Sequence, residues 1–363
     1  MEICHVDLKK EIDNSYDILI GEGLFKNLAA ELKNKPLANA YAIITDSNVE
    51  KIHGKKLLKN FQNNGIHSHL ISFPAGEKSK TRKTKEKIEN GMLELALGRD
   101  TCIIALGGGV VGDVAGFVAA TYMRGIPYIQ IPTTLLAMVD SSIGGKVAVD
   151  TEHAKNAIGA FYQPKKVIID INFLKTLPRS DLTNGLAEII KHALIKDKDF
   201  FHFIEKNIDK ILNRDSETLK RTIKRSCEIK AEIVVQDEKE KGIRKILNYG
   251  HTIGHAIETA LSYEISHGQA IAIGMAYAAK LSAKLGFLHE GSVIRQNNLL
   301  EYAGFPHKLS RHKLKPKRLL ECIQLDKKII NGKINFVLLN SIGDAFISDE
   351  VALEDIKNII ERG

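Results

Sequence analysis

The uncharged run Thr101-Cys102-Ile103-Ile104-Ala105-Leu106 ends in Gly107-Gly108-Gly109-Val110-Val111-Gly112-Asp113, and this junction limits the possible folds more than any other segment. An apolar run of that length bounded by glycine reads as a strand buried on both faces of a parallel sheet. Gly107, Gly109 and Gly112 keep the G-x-G-x-x-G spacing, which turns strand into helix and lets the backbone amides approach a pyrophosphate. The plain alternative is a tight strand-to-helix turn. A standard Rossmann unit places an acid about 20 residues further on to hold the ribose. Here that region is Tyr128-Ile129-Gln130-Ile131-Pro132-Thr133-Thr134, without an acid, so a dinucleotide would bind in a variant geometry.

Other short apolar runs at 41–45, 70–73, 128–131 and 167–169 alternate with helical patterns near 48–63, 80–97 and 111–121. This predicts an α/β N-terminal Rossmann-like domain with a mostly parallel sheet, with an edge hairpin over 6–20 preceding it. After Leu177-Pro178-Arg179 strands nearly vanish, and long helical patterns run over 181–196, 198–235, 249–262, 268–286 and 290–302. The expected division is therefore an α/β domain holding the glycine loop at 1–178 and a mostly α-helical C-terminal domain at 179–363. A length of 363 residues suits two domains on a prior of about 150 residues each. Asn331-Gly332 predicts a small hairpin joining 327–330 to 334–339, and a closing helix starts from Glu350.

The helical half carries chemistry. His251 and His255 stand four apart in an apolar-rich stretch, a spacing that stacks two rings on one helix face. His267 opens the next apolar helix, so two helices can aim imidazoles at one point. Catalytic zinc commonly takes two His and one carboxylate and leaves a position open. Glu188 is the best carboxylate, because it interrupts an apolar helix together with Lys191 and His192, and burying it demands a pair or a metal. The competing reading makes Glu188 and Lys191 an exposed ion pair and the histidines ordinary helix residues. Late in the first half, over 132–164, hydroxyls, glycines and the isolated Lys146 and Lys155 sit within apolar sequence. That composition suits a pocket for an anion, and Lys230, Arg244 and Lys245 recur beside the other motifs.

Composition excludes several classes. No uninterrupted apolar run reaches the roughly 18 residues of a membrane span, and the N-terminus lacks a signal-peptide layout. Cys4, Cys102, Cys227 and Cys322 are scattered with no C-x-x-C pair, so a reducing cytoplasm is expected. A net charge of +8 and the basic stretch 78–87 invite a nucleic-acid reading. There is no helix-turn-helix or zinc-finger pattern and no tryptophan for base stacking, so no nucleic-acid partner is expected; the positive field would instead steer an anionic metabolite.

Taken together, Gly107 to Asp113, Arg124 through Lys146, Lys155-Asn156, Glu188 to Lys191, Arg244 through Glu258, His267-Gly268 and Asp326-Lys327-Lys328 resemble the 3-dehydroquinate synthase family, over Asp46 to about Gly343. The resemblance implies a divalent metal, zinc or cobalt, on Glu188, His251 and His267. It implies NAD across Asp46, the turn Ala75-Gly76-Glu77-Lys78-Ser79-Lys80 and the loop Gly109-Val110-Val111-Gly112-Asp113, with Thr133, Thr134 and Phe173-Leu174-Lys175-Thr176 completing its site. Lys146 and Lys155 would lie between cofactor and substrate. Asp140, Asn156, Lys191, Lys230, Arg244, Asn248, His255 and Lys327 would line the substrate pocket, and Arg124 would reach into a neighbouring subunit's site, implying a homodimer. Two positions depart from the family pattern. Ala75 stands where Asp is common and weakens a cofactor contact, and Gln269 stands where Glu is usual and alters what orients His267.

The family's reaction oxidises a ring hydroxyl of a seven-carbon keto-sugar acid phosphate, expels phosphate, reduces the ketone, opens the ring and closes a carbocycle by an aldol step. NAD is regenerated in each turnover. By this resemblance the chain is a phosphate-eliminating lyase. Another sugar phosphate cyclase, or a metal-dependent polyol dehydrogenase that releases NADH, are the alternatives.

Overall fold

The computed structural model describes residues 5, 13–306, 309, 314, 316–325, 329–330 and 333–362. Seven of seven residues in β4 (Thr101–Gly107) are buried, which is what the uncharged run predicts for an interior strand. Around it lie β1 (Asp17–Gly21), β2 (Ala40–Asp46), β3 (Ser68–Phe73), β5 (Tyr128–Pro132) and, after a separate antiparallel hairpin of β6 (Lys146–Val149) and β7 (Ile158–Phe161), β8 (Lys166–Asp170). Six of these strands make one sheet, all pairs parallel, in the order β1-β8-β5-β4-β2-β3. Connections include α1 (Leu24–Asn34), α2 (Ser47–Val49), α3 (Lys55–Asn63), α4 (Arg82–Glu94) and α5 (Gly109–Thr121). The chain moves outward from β2 to β3 and, on the other side, from β4 to β5. The crevice between β2 and β4, at their carboxyl ends, is therefore the switch point where such sheets bind ligands.

The second half consists mainly of α6 (Arg179–Lys196), α7 (Lys198–Leu212), α8 (Ser216–Gln236), α9 (His251–Ala260), α10 (His267–Lys284), α11 (Glu290–Tyr302), α12 (Pro316–Leu325) and α13 (Leu353–Arg362). α6 is buried almost all round, from Leu182 to Ile195 apart from its first turns. A helix of that kind belongs in a core and not on a surface. One apolar cluster runs from Ile104, Leu106 and Ile131 on one sheet face into Leu186, Ile190 and Ile271 of the helices; a second, with Val114 and Met92, fills the other face.

Three expectations need correction, and a fourth falls partly outside the described residues. The single pattern over 198–235 is two helices, because Asn213 ends α7, Arg214 adopts φ 60°, and the Asp215 carboxylate accepts the Thr218 N–H to start α8. β1 pairs parallel with β8, and the other arm of the expected hairpin, residues 6–12, lies outside the described residues. β9 (Ile329–Ile330) and β10 (Lys333–Ile334) do pair antiparallel, but β11 (Phe336–Ser341) turns back on β12 (Asp344–Ser348) in a second hairpin, with Gly343 at φ 92°. The closing helix starts at Leu353.

Candidate active site

Helix α6 reaches the sheet through glycine. A Cβ at Gly185 would fall against the Leu135–Leu136 backbone, so only glycine lets α6 lie directly on the turn that follows β5. That contact carries Glu188 one turn further along, fully buried. His251 opens α9 and His267 opens α10. The Gly268 N–H donates to Asn184 Oδ1 at 2.6 Å, tying α10 to α6. Glu188 Oε1 then faces His251 Nε2 at 3.6 Å and His267 Nε2 at 3.5 Å, and one donor atom from each of the three residues lies within 4.8 Å of the others. Tetrahedral ligands at about 2.1 Å from a zinc ion stand about 3.4 Å apart. Glu188 Oε1 is buried and has no hydrogen-bond partner among the described residues. A buried carboxylate oxygen left in that state is costly unless a cation meets it, so these residues fit a divalent metal.

The supports of the two imidazoles fix which nitrogen is offered. The Tyr249 carbonyl is 3.1 Å from His251 Nδ1 and can only accept, so Nδ1 carries the hydrogen and Nε2 keeps its lone pair toward Glu188. Glu258 Oε1 stands 3.4 Å from His267 Nδ1 and holds the N–H there, so Nε2, which carries a second proton in the metal-free ring, is the nitrogen turned to Glu188. Burial, then the Lys191 ammonium, pushes His251 well below the usual imidazole range. Burial opposes charge on His267 too, yet the Glu188 and Glu258 carboxylates outweigh it and raise the ring up to about 10. Burial likewise works against ionised Glu188, but Lys191, which donates to Oε2, holds the carboxyl well below its ordinary value. His192 packs behind, neutral, with Nδ1 2.8 Å from Ser226 Oγ.

A cationic pocket adjoins this triad. Lys230 is buried and donates to the Asp140 carboxylate at 2.5 Å and the Asp140 carbonyl at 2.6 Å. Arg244, also buried, donates to the backbone carbonyls of Glu238 and Gly144. Partial burial of the ammonium end, then Arg244 and Lys230, pushes Lys146 down to about 8, although half of the side chain stays exposed. Lys146 and Asn248 both donate to Glu240, the latter at 2.8 Å. The His255 ring lies 5.1 Å from that of His251 and 6.3 Å from that of His267.

Apart from Lys146 and Lys155, which belong to the β6–β7 hairpin, the cofactor candidates lie at or just past the carboxyl ends of strands of the six-stranded sheet. Gly109 starts α5 after β4, and a Cβ there would sit 3.1 Å from Ser141 Oγ, next to Asp140. The Thr133 N–H donates to the Gly107 carbonyl at 2.9 Å, and Thr134 Oγ1 accepts the Ala137 N–H. Asp46 ends β2 and takes the Asn48 and Val49 N–H groups on Oδ1. An acid does stand beside the glycine loop, then, but upstream in the chain. The Ala75 N–H donates to Ser47 Oγ, Gly76 has φ 106°, and Lys80 pairs with Asp113 and donates to Asn156 Oδ1 at 2.5 Å. Lys155 stands 3.7 Å from Glu77 and 3.9 Å above the Tyr263 ring, joining the cofactor turn to the metal side. Glu77 and Lys78 are exposed and Ser79 is buried, whereas Val111, Phe173 and Leu174 point into the core, leaving only their backbone to face a ligand; Lys175 and Thr176 are exposed. The free amides opening α5 and the open carboxyl edge fit a dinucleotide.

Arg124 is not gathered with the rest. It lies on an exposed turn at φ 71°, beyond the far end of α5, about 18 Å along the helix from the glycine loop. Lys327 lies outside the described residues. Two residues near the site had been given no role by sequence reading. Glu258 follows His255 by three on the same helix, a spacing that could have suggested it; Glu240 sits in a charged loop at φ 56° with no pattern to mark it.

The N-terminal 3-dehydroquinate synthase family matches residues 70–184 and the C-terminal 3-dehydroquinate synthase family residues 185–329. The 3-dehydroquinate synthase of Thermodesulfovibrio yellowstonii is 46% identical over 363 residues, 100% of either chain. A solved 2-epi-5-epi-valiolone synthase from Streptomyces hygroscopicus, with NAD+ and Zn2+ bound, has a TM-score of 0.88 at 28% identity, covering 99% of this chain and 100% of that one. A 2-deoxy-scyllo-inosose synthase complexed with carbaglucose-6-phosphate, NAD+ and Co2+ has 0.86 at 30%, covering 95% and 96%.

Proposed function

Since this chain belongs to the 3-dehydroquinate synthase family, we propose that it converts 3-deoxy-D-arabino-heptulosonate 7-phosphate into 3-dehydroquinate and phosphate, in the shikimate pathway of aromatic amino-acid biosynthesis, with NAD and a divalent metal. The observation that carries this reading is the buried Glu188 Oε1, without a hydrogen bond among the described residues, facing two imidazole nitrogens beside a cluster of buried cations. When bound, the metal supplies Lewis acidity to substrate hydroxyls and NAD accepts and returns a hydride.

This chain's residues do the rest. Glu188, His251 and His267 hold the metal, and Lys191 fixes the carboxylate while adding positive charge. Lys230, Arg244, Lys146 and Asn156 meet the anionic groups of the substrate, with Asp140 holding Lys230 in place and Lys155 lying between cofactor and substrate. His255 and Asn248 position the groups between which a proton passes when phosphate leaves. Lys327 belongs to the same pocket by family resemblance. The glycine loop, Asp46, the turn 75–80, Thr133, Thr134 and 173–176 hold NAD, so the division at 178 separates a cofactor-binding from a metal-binding unit. The remote, exposed position of Arg124 supports its use in a neighbouring subunit's site, hence a homodimer. No helix among the described residues is long and apolar enough to cross a membrane, and a cytoplasmic location goes with this pathway.

The test supplies the heptulosonate phosphate with catalytic NAD and zinc and follows phosphate and NADH together. Stoichiometric phosphate without net NADH supports the reading, and NADH without phosphate would make the protein a polyol dehydrogenase. The close fit to two other cyclases favours one second reading, a different sugar phosphate. A seven-carbon sugar phosphate lacking the carboxylate, turned over with the higher kcat/KM, would establish it.

A further inference from the structure

The Tyr249 carbonyl that orients His251 lies outside the regular hydrogen bonding of α9, whose ladder starts with Gly254 N–H on Gly250 C=O. Its direction therefore depends on what holds the Tyr249-Gly250 peptide. Gly250 sits at φ 79°, and a Cβ there would meet Met275 Cγ at 2.6 Å and Met275 N at 2.8 Å, so this peptide is pressed against α10, the helix that begins with His267. The Tyr249 side chain is fully buried, and its hydroxyl donates to Gln296 Oε1 at 2.9 Å. Gln296, on α11 and equally buried, donates Nε2–H to the Met275 carbonyl at 2.8 Å. The Tyr249 oxygen is itself 3.3 Å from that carbonyl. Hydroxyl, amide and carbonyl form one closed set in the core. Such a set specifies geometry because each member would be costly to leave unpaired.

We propose that Gln296 is a positioning residue for the metal site: by clamping the Tyr249 hydroxyl to the Met275 backbone it holds the Tyr249 carbonyl on His251 Nδ1, and so keeps His251 Nε2 aimed at the point shared with Glu188 and His267. Gln296 touches none of the three and acts through Tyr249. The same clamp ties the start of α9 to α10, so the spacing of the two imidazoles and the tautomer of one are set together. The inference rests on the metal reading above and extends it by a residue that spacing in the sequence does not reveal. Polar groups that orient a metal-bound imidazole typically change affinity 10- to 100-fold when removed.

The experiment compares wild type with Gln296→Leu, Tyr249→Phe, the double variant and Ser282→Ala. Ser282 is buried on the same helix as Met275, donates to the Ala278 carbonyl and accepts the Leu339 N–H, and so reports what losing a core hydrogen bond does by itself. Each protein is stripped, and its affinity for Co2+ is measured by competition with a chromophoric chelator, together with the visible Co2+ spectrum, at a temperature where circular dichroism shows it folded. The metal reading itself is tested by wild type, which must bind one Co2+ that Glu188→Ala does not. The clamp predicts that Gln296→Leu and Tyr249→Phe each weaken Co2+ about 10- to 100-fold and shift the spectrum, that the double variant is no worse than the weaker single, and that Ser282→Ala binds like wild type. If Gln296→Leu does not fold, Tyr249→Phe, which removes one oxygen, decides alone. Affinity within twofold of wild type with an unchanged spectrum overturns the proposal, as does an equal loss in Ser282→Ala.

Discussion

The glycine loop after β4 and the triad between α6, α9 and α10 serve one site by opposite means. At the loop, the groups offered to a ligand are backbone amides at the start of α5, and Lys80 pairs nearby with the half-buried Asp113. At the triad, Glu188, Lys191, His192, Lys230, Arg244, His251 and Glu258 are all buried side chains. A backbone site is made by folding itself, whereas a site of buried charges stands only while each charge has its partner. The first should respond to added bulk, and the second to a lost partner.

The sharpest way to break that contrast is Glu188→Ala. It leaves Lys191 buried without its carboxylate and removes the central donor of the proposed metal site. Unpairing a buried charge typically costs about 3–5 kcal/mol. We expect that loss in urea unfolding, metal affinity down by more than about 100-fold, and turnover down by at least about 10³-fold. A variant as stable as wild type would show that the buried charges are not held by mutual pairing.

On the sheet side the counterpart is Gly107→Ala. Its Cβ would stand 2.5 Å from Val111 Cγ2 and 2.6 Å from Val111 Cβ, pushing the first turn of α5 off the end of β4. Overpacking of this kind costs about 1–3 kcal/mol. NAD affinity should fall about tenfold, since the amides of the first turn move with the helix. Co2+ affinity should not change, and if isothermal titration finds both ligands weakened alike, the two regions are not separable.

How much of each region could be read from sequence follows from the same contrast. The β4–α5 junction was legible because an interior strand must be uncharged and its turn must be glycine. Glu188, His251 and His267 were legible because an acid in an apolar helix and two histidines at helix starts are costly placements without a purpose. Less was visible where partners come from afar. An acid beside the loop was sought downstream of it, but β4 follows its neighbour β2 in the chain, so Asp46, at the carboxyl end of β2, comes earlier in the sequence. β6 and β7, four residues each, pair across a loop, and β7 carries Gly159 against the Val147 carbonyl, too short and too irregular for alternation to show. Glu240 and Gln296 act only through contacts that folding creates.

A smaller effect separates metal-free from metal-bound protein. Without metal, the folded value of His267 is up at about 10, above the imidazole's ordinary 6.5. A raised value means that folding binds a proton more tightly, so this contribution is complete below pH 6.5 and is lost as pH climbs toward 10. The chelated protein should therefore lose thermal stability from pH 6.5 to 9. With Zn2+ in place of the proton the slope should be shallower, and His267→Asn should flatten it in the chelated form. An identical slope in all three would remove His267 from the account.

The smallest expected effect concerns Gln269, where the family resemblance suggested a change in what orients His267. The fold assigns that task elsewhere: Glu258 faces His267 Nδ1, while Gln269 closes a capping box with Ser266 at the start of α10. Gln269→Glu should leave Co2+ affinity within about twofold, because the imidazole's partner is untouched. A carboxylate in the first helical turn should instead add about 0.3–1 kcal/mol by meeting the unpaired amides and the positive end of the helix dipole. The gain should shrink in 1 M salt, where screening shortens the reach of a partly exposed charge to about 3 Å. Should the substitution tighten the metal tenfold, residue 269 would be part of the metal's support after all, and the side-chain region would extend one turn further along α10 than its geometry indicates.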